Sequence, residues 1–365
     1  MKAERTASAE LVGVVVAVQA NYYRVQLLAG QASESATELL CTRRSRLKKL
    51  GQQIMVGDRV GVEEPDWQGL RGAIATISPR QTQLHRPPVA NANQVLLMFA
   101  LADPTLDPLQ LTRFLVTVEA TGLRIVLGLN KKELLDEDQQ QQWQDRLRKW
   151  GYQPFLISLY EQAGLQELQQ QLQGQLTVLS GPSGVGKSSL INNLIPEHDV
   201  RVGSVSERWG QGKHTTRHVE LFDLPGGGLL ADTPGFNQPS TTCRPQALAQ
   251  YFPEAQQRLA QAQCQFNDCF HRDEPNCSVR GNWERYPYYL TLLEEVIAHQ
   301  SEQDAIANAE STLKRKAKRK GNTEYEPKLS SKRYRRPSRR SQRQNLKDLY
   351  PDRHNPEHSE DSPSH

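Results

Sequence analysis

The sequence predicts a multidomain protein in which a small β-barrel precedes a doubly wound α/β domain and a short cysteine-containing helical domain. About the first 85 residues hold short β-rich runs, and about the next 150 alternate apolar runs with helical periodicity. Three of the five cysteines then fall within fourteen positions. We place the domains at residues 1–88, 89–240 and 241–300, followed by a tail at 301–365.

Five short runs with strand-like patterns indicate the barrel. They are 11–18, 23–28, 39–42, 58–63 and 72–77. Turn residues such as Asn21 and Gly57 separate them. A basic strip at 43–49 follows the third run, and in a barrel of this kind it could track a nucleic-acid backbone. A solvated charged loop is the competing interpretation of that strip.

The next segment predicts buried strands that alternate with helices. The expected strands are 95–100, 125–129, 155–158 and 176–179, and the expected helices are 109–120, 141–150, 165–172 and 188–194. Such alternation is typical of a doubly wound sheet with helices on both faces.

A phosphate-binding loop joins the last of these strands to its helix. The loop reads Gly181-Pro182-Ser183-Gly184-Val185-Gly186-Lys187-Ser188, and Ser189 follows it. The small residues let backbone N–H groups converge on a β-phosphate, and Lys187 supplies charge to the β and γ oxygens. The Ser188 hydroxyl is the expected ligand of Mg²⁺. The motif therefore predicts a site for a nucleoside triphosphate with Mg²⁺.

Two polar segments downstream fit the triphosphate end of such a site. The tetrapeptide 232–235 follows an apolar pair about 45 residues after the loop. There Asp232 is expected to hold Mg²⁺ through water, and Gly235 to offer its N–H to the γ-phosphate, although alone the tetrapeptide fits a plain turn equally well. In the polar stretch between the motifs, Thr216, favoured over Thr215, is expected to complete the Mg²⁺ shell. An ordinary surface loop is the alternative there.

A base-reading motif lies upstream of the phosphate loop. The run 125–129 ends in Asn130-Lys131-Lys132-Glu133, which resembles the guanine-reading Asn-Lys-x-Asp of GTPases. In that motif an Asn reads the purine edge, the Lys stem packs on the ring, and a carboxylate accepts hydrogen bonds from guanine N1 and N2. Ser158, after another strand, stands where the supporting Ser-Ala-Lys element would be. Glu133 is one methylene longer than Asp, so guanine selectivity is less firmly indicated than nucleotide binding.

The cysteine cluster predicts a metal site. Its members are Cys264, Cys269, His271 and Cys277. Three thiolates and one imidazole meet the tetrahedral four-ligand requirement of structural Zn²⁺ and leave no open position for catalysis. Three buried thiols beside an uninvolved histidine are the competing interpretation.

The order of these motifs is reversed relative to ordinary GTPases, because both base-reading elements precede the phosphate loop. This permuted order, between a small barrel and a cysteine cluster, resembles the circularly permuted ribosome-associated GTPases of the RsgA family over about residues 10–300. The resemblance implies an OB-fold barrel, a P-loop GTPase domain and a zinc-binding helical domain. It also implies Asn130 and Lys187 facing one nucleotide although they lie far apart in sequence.

The resemblance further implies Mg²⁺-dependent GTP hydrolysis, stimulated by the small (30S) ribosomal subunit and acting late in its maturation. The implied partners are that subunit with its 16S rRNA, and GTP or GDP, for a monomer without membrane association. Phe236 stands where many GTPases carry a water-orienting Gln, and His214 is the catalytic group that the resemblance favours. A solvent-exposed structural histidine is the alternative for His214.

Composition and charge bound the possible partners. The odd set of five cysteines suits a reducing compartment, and no run approaches the roughly 20 apolar residues of a membrane span, so we expect a cytoplasmic protein, or a stromal one if it comes from an organelle. Residues 311–345 carry fourteen Lys or Arg against two Glu, in a chain of net charge +4. Such a block binds polyanions. We expect a helix-prone stretch at 304–320 and no order beyond it without a partner.

Two other functions compete with GTP hydrolysis. The first is an RNA-binding scaffold in which a nucleotide only stabilises the fold, and Glu133 and Phe236 favour it. The second is an ATP-using kinase or ATPase, which the Asn130-Lys131 pair disfavours.

Overall fold

The computed structural model describes residues 11–28, 30, 37–195, 219–232, 239, 243–310, 313–317 and 323–327. The chain divides into two compact units, Met1–Ala298 and His299–His365. Among the helices of the described ranges, none combines the length and apolarity that crossing a membrane would require.

The first unit begins with a closed five-stranded barrel. Its strands are β1 (Leu11–Gln19), β2 (Tyr22–Leu27), β3 (Glu38–Arg43), β4 (Arg59–Asp66) and β5 (Arg71–Ile77). They pair in the order β1-β2-β3-β5-β4, and β4 pairs again with β1 to close the barrel. Alternate side chains such as Val15, Val25 and Ile74 fill its interior. The predicted five-stranded, OB-like barrel is confirmed.

The basic strip after β3 forms a single helical turn, α1 (Ser45–Lys49), rather than an extended loop. Leu47 is buried in the barrel core, while Arg46, Lys48 and Lys49 are exposed. One apolar anchor therefore fixes three cations at the barrel surface.

The predicted doubly wound sheet is also confirmed. A hairpin of β6 (Gln83–His85) and β7 (Pro88–Ala90) leads into it. Its strands are β8 (Gln94–Ala100), β9 (Arg124–Asn130), β10 (Pro154–Leu156), β11 (Leu176–Ser180), β12 (Glu220–Asp223) and β13 (Leu229–Asp232). The order is β10-β9-β8-β11-β13-β12, parallel except for β12. Every residue of the central strand β8 is buried, which explains its continuous apolar run.

Four helices cover the two faces of this sheet. They are α2 (Pro108–Glu119), α3 (Glu137–Lys149), α4 (Leu165–Leu172) and α5 (Lys187–Leu194). Helix α3 begins four residues earlier than predicted, because Asp136 and Gln139 form a reciprocal capping box. Asp107 caps α2, with Pro108 at its first position. Both helices thus begin at polar capping residues, before the first residue of the apolar periodic pattern.

The barrel and the α/β sheet are continuous. Ala17 of β1 pairs with Glu220 of β12, so that one eleven-stranded sheet runs through both. An apolar cluster spans the same junction and includes Val16 of β1, Val89 of β7 and Leu221 of β12. The sequence did not predict β12, because four residues carry too little periodicity to be recognised.

The cysteine-containing domain packs on α2 and α3. It consists of a 3-10 helix (Pro245–Tyr251), α6 (Pro253–Gln261) and the long helix α7 (Tyr286–Glu310). The sequence pattern predicts a helix at 288–299, and α7 begins two residues before it. Its core includes Val116 of α2. These contacts attach the domain to the half of the sheet that carries β9 and β10.

A buried arginine fastens this attachment. The guanidinium of Arg285 lies 4.9 Å from the ring centroids of both Trp150 and Phe252, and its Nε donates to Glu254 at 2.8 Å. Arg285 is fully buried. A desolvated cation–π contact contributes about 2 kcal/mol, so the contact of Arg285 with Trp150 resists separation of the two domains, while the pair with Glu254 lies within the cysteine-containing domain.

The backbone of the tail differs from one prediction. Helix α7 ends at Glu310, and the backbone then forms a hairpin of β14 (Leu313–Ala317) and β15 (Thr323–Pro327). The helix expected over 304–320 is therefore wrong at 313–317, while 311–312 and 318–320 lie outside the described residues. The strand at 323–327 was not predicted, and the largely disordered tail stays a prediction. The alternating run at 323–327 offers a partner strand, and strand pairing overrides the helix propensity of the basic run.

Candidate nucleotide-binding site and metal centre

The phosphate loop connects β11 to α5, and its glycines are required by close backbone approach. A Cβ on Gly181 would lie 2.1 Å from the Met98 carbonyl oxygen, and one on Gly186 would lie 2.5 Å from Asn130 Nδ2. Both glycines have positive φ, as does Gly184. The loop is therefore compact, with Val185 buried beneath it and Ser183 exposed.

Lys187 lies at the first turn of α5 and folds back over its own loop. Its Nζ donates to the carbonyl oxygens of Gly181 at 2.8 Å and Pro182 at 2.5 Å. Burial lowers the pKa of the Lys187 ammonium to about 8, and the charge of Asp232 opposes that shift. Ser188 and Ser189 follow on the same turn and are half-buried.

Asn130 joins the base-reading strand to the phosphate loop. It is the last residue of β9, its Nδ2 donates to the Val185 carbonyl at 2.9 Å, and its Oδ1 accepts from the Leu159 N–H at 3.3 Å. Ser158 is fully buried beside it, and its Oγ accepts the Glu161 N–H at 3.0 Å. The structure thus brings three segments that are far apart in sequence against one another.

Lys131 has a partner that the sequence did not predict. Its backbone is left-handed, with φ +61°, and its Nζ donates to the backbone carbonyl of Asp103. The Asp103 carboxylate lies 3.3 Å from the same ammonium. Asp103 follows the carboxyl end of β8, where ligands commonly bind in open α/β sheets. That position was the signal that could have identified it.

Glu133 has an unsatisfied oxygen. It lies in the short 3-10 turn Lys132–Leu134 after β9. Its Oε2 is buried and has no hydrogen-bond partner among the described residues. A buried carboxylate oxygen without a donor is costly, so this atom is suited to accept hydrogen bonds from a ligand.

The triphosphate end of the site is described only in part. Asp232 closes β13, and its charge acts on Lys187, so these two side chains lie near each other. The other predicted groups at this end, His214, Thr216 and Gly235, lie outside the described residues.

The four predicted metal ligands converge. The ligand atoms of Cys264, Cys269, His271 and Cys277 all lie within 4.8 Å of one another. His271 Nδ1 is 3.4 Å from the Sγ atoms of both Cys264 and Cys277, which are themselves 3.9 Å apart. With Zn–S bonds of about 2.3 Å and Zn–N bonds of about 2.0 Å, these separations match the edges of a zinc tetrahedron.

The surroundings of the cluster also suit a bound cation. Backbone N–H groups of His271 and Arg280 point at the sulfurs of Cys269 and Cys277, each at 3.4 Å. Burial raises the pKa of the Cys269 thiol to about 12, so a cation is needed to hold it as a thiolate. The donor set therefore fits zinc.

The fold and the site together define the class of protein to which this chain belongs. A phosphate loop follows its own base-reading strand in sequence, contacts it in space, and is flanked by a barrel and a Cys₃His cluster. This is the arrangement of a circularly permuted P-loop nucleotide-binding protein.

Comparisons with known proteins agree with this class. The RsgA GTPase family model matches residues 77–242. The small ribosomal subunit biogenesis GTPase RsgA of Trichormus variabilis is 59% identical over 359 residues, covering 93% of this chain and 97% of the relative. The protein of the same name from Microcystis aeruginosa is 54% identical, covering 94% and 97%.

Two solved structures are similar as well. YjeQ from Thermotoga maritima is 30% identical with a TM-score of 0.66, covering 79% of this chain and 99% of its own. YloQ, described as a circularly permuted GTPase, is 29% identical with a TM-score of 0.66, covering 81% and 99%. The chain belongs to the RsgA GTPase family. The resemblance predicted from the motif order is confirmed.

Proposed function

We propose that this protein hydrolyses GTP with Mg²⁺ during late maturation of the small ribosomal subunit, and that it acts in the cytoplasm as a monomer. The names of the relatives support the pathway. The observation that carries the proposal is the bond from Asn130 to the phosphate loop at Val185, because it puts both ends of one guanosine nucleotide within reach of one site. We propose that the subunit, bound through its 16S rRNA, stimulates hydrolysis.

The residues of the site divide between the base and the phosphates. We assign guanine recognition to Asn130, Lys131, Glu133 and Ser158, and phosphate binding to residues 181–189. Mg²⁺ would be held by Ser188 and Thr216 directly and by Asp232 through water, where it would supply charge to the β and γ oxygens. We further assign a γ-phosphate contact to Gly235 and the orientation of water to His214.

The remaining domains are assigned to RNA and to structure. We propose that the barrel, residues 1–88, contacts rRNA, and that residues 241–300 hold one structural Zn²⁺ through Cys264, Cys269, His271 and Cys277. The distances between these ligand atoms and the N–H groups aimed at two of the sulfurs support zinc.

Phosphate release measured with purified small subunits, with large subunits and without ribosomes tests the function. We expect small subunits alone to accelerate turnover. An RNA-binding scaffold with a passive nucleotide would show no accelerated release. Equal competition by ATP and GTP for a labelled GTP analogue would instead support an ATP-using enzyme.

Replacing Glu133 by alanine should reduce guanine selectivity. The buried Oε2 of Glu133 has no partner among the described residues, and hydrogen bonds to a charged group contribute about 1.5–3 kcal/mol each. Two such bonds predict a loss of about 100-fold or more in affinity for GDP, with affinity for ADP unchanged. Titration with fluorescent guanine and adenine nucleotides measures both constants. The matched control is Glu137→Ala on the exposed start of α3, and equal GDP affinity in both variants would contradict the assignment.

Nucleotide affinity should decrease above about pH 8. In the free protein, burial lowers the pKa of Lys187 to about 8, so the ammonium loses its proton above that pH. A bound phosphate favours the charged ammonium and raises its pKa, so binding takes up a proton. Affinity should then fall by up to about tenfold per pH unit. Calorimetry in two buffers of different ionisation enthalpy measures the uptake, and no uptake near pH 8.5 would exclude this account.

Deleting the tail should weaken salt-dependent binding to the small subunit. Residues 311–345 carry fourteen cations, and each phosphate contact contributes about one counterion to the salt dependence of affinity. We expect removal of residues 311–365 to lower both the affinity and the slope of its logarithm against salt concentration. Filter binding over a range of salt concentrations gives both values. The assignment fails if neither of them changes.

A further inference from the structure

Strand β12 links the barrel to the nucleotide site. Glu220, its first residue, pairs on one side with Ala17 of the barrel strand β1 and on the other side with Asp232 of β13. Neighbouring strands lie about 4.8 Å apart, so only about 10 Å separates the barrel backbone from that of Asp232. The charge of Asp232 in turn acts on Lys187.

Polar side chains of the barrel fasten this strand. Arg24 Nη1 donates to Glu220 Oε1 at 2.8 Å, and Gln26 Nε2 donates to Asp223 Oδ2 at 2.6 Å. Arg24 and Gln26 are alternate residues of β2, so their side chains project from the same face of that strand. Through these two side chains the barrel binds the first and the last residue of β12.

Apolar packing also holds β12 against the barrel. Leu221 of β12 and Val219, which immediately precedes that strand, belong to one buried cluster with Val16 of β1 and Ala231 of β13. The cluster packs β12, β13 and the barrel wall against one another, and close-packed interiors are stiff and transmit strain. A displacement of the barrel must therefore displace β12.

The ends of β12 and β13 coincide in sequence with the segments assigned to catalysis. Val219 comes three residues after Thr216, and Asp232 comes three residues before Gly235. The barrel therefore holds in place Val219 and Asp232, the described residues next to these two segments. In contrast, the zinc-cluster domain is fastened through Arg285 to Trp150, beyond the opposite edge of the sheet.

We propose that Arg24 and Gln26 are positioning residues for GTP hydrolysis, which hold Glu220 and Asp223 so that a small subunit bound to the barrel accelerates turnover. The inference rests on the proposed stimulation by the small subunit and adds the residues that transmit it. Both members of the Arg24–Glu220 pair are 38% exposed, so each substitution should leave the fold intact.

The test compares Arg24→Ala, Glu220→Ala and the charge-reversed pair R24E/E220R. An exposed ion pair contributes up to about 1 kcal/mol, so we expect each single variant to lower the subunit-stimulated kcat by about threefold to fivefold. Affinities for GDP and for small subunits should change less than about twofold, because the Arg24 guanidinium is bonded to Glu220 and neither residue belongs to the nucleotide site. The reversed pair, made together with Glu38→Gln because the Glu38 carboxylate lies 3.3 Å from Arg24 Nε, should recover most of the lost stimulation. Arg148→Ala, which breaks an exposed pair with Asp145 on α3, is the matched control.

Three results would overturn the inference. The first is wild-type stimulation in both single variants. The second is a loss in Arg24→Ala without a loss in Glu220→Ala, which would mean that Arg24 acts through Glu38 within the barrel or on the subunit itself. The third is a reversed pair no better than the single variants. Failure of the proposed function is a different observation, namely wild-type protein that small subunits do not stimulate. If Arg24→Ala fails to fold, Glu220→Ala with Asp223→Ala removes the same bonds from the other side.

Discussion

Replacing Lys187 by alanine is expected to reduce GTP hydrolysis by about 100- to 1,000-fold, as removal of a group that stabilises developing charge does in other enzymes. The Lys187 ammonium already lies inside the loop, within 2.8 Å of two carbonyl oxygens, so little reorganisation is needed to meet a phosphate. Truncation removes that charge and leaves the Gly181 and Pro182 carbonyls without their donor. Single-turnover phosphate release measures the effect on the chemical step.

The control for this experiment is a lysine outside the site. Lys149 lies exposed in the last turn of α3, and Lys149→Ala should hydrolyse GTP at the wild-type rate. Thermal unfolding of both variants separates loss of chemistry from loss of fold. Hydrolysis in Lys187→Ala equal to that of the control would exclude the phosphate loop as the catalytic site.

Removing zinc is expected to unfold the cysteine-containing domain while the barrel and the α/β sheet stay folded. Structural zinc contributes about 10–16 kcal/mol of binding free energy in small zinc modules, and that energy is available only in the folded state. Here the loop 264–277 packs on α7 through the hydroxyls of Tyr286 and Tyr289, which donate to the carbonyls of His271 and Phe270. Loss of the metal should therefore also expose the start of α7. Metal analysis and hydrogen exchange before and after chelation measure both effects.

A double substitution of Cys264 and Cys277 by serine should reproduce the effect of chelation, with less than one zinc per chain. Cys243→Ser is the matched control, because Cys243 is half-buried in the same domain but is not part of the cluster. We expect the control to retain one zinc and wild-type protection. A full complement of zinc in the double variant would show that other residues bind the metal.

The elements that sequence analysis predicted well are those with long apolar runs. The run at 95–100 is a strand buried along its whole length, and the helix predicted at 165–172 has the bounds of α4. Burial imposes a pattern on every residue of such elements. Motif order was equally informative, because a phosphate loop and a base-reading strand each require specific residue types at fixed spacing.

The features that were missed depend on contacts between distant segments. Strand β12 exists because β1 and β13 flank it, and Lys131 has its position because Asp103 follows a different strand. The fully buried charge of Arg285 was not predicted either, because its ring contacts come from Trp150 and Phe252, about 100 positions apart. Local periodicity carries no information about such pairings.

The attachment of the barrel at β12 and of the zinc-cluster domain beside β10 has a consequence for avidity. The five spacings between these six strands, at about 4.8 Å each, put the two attachment points about 24 Å apart, with a fixed separation rather than a flexible tether. The conformational entropy of aligning the barrel and the zinc-cluster domain has already been lost during folding. A large rigid partner that touches both therefore makes the second contact with little further loss of entropy. A small fragment that reaches only one module forgoes that gain. Its binding free energy should be far less than half of the binding free energy of the large partner.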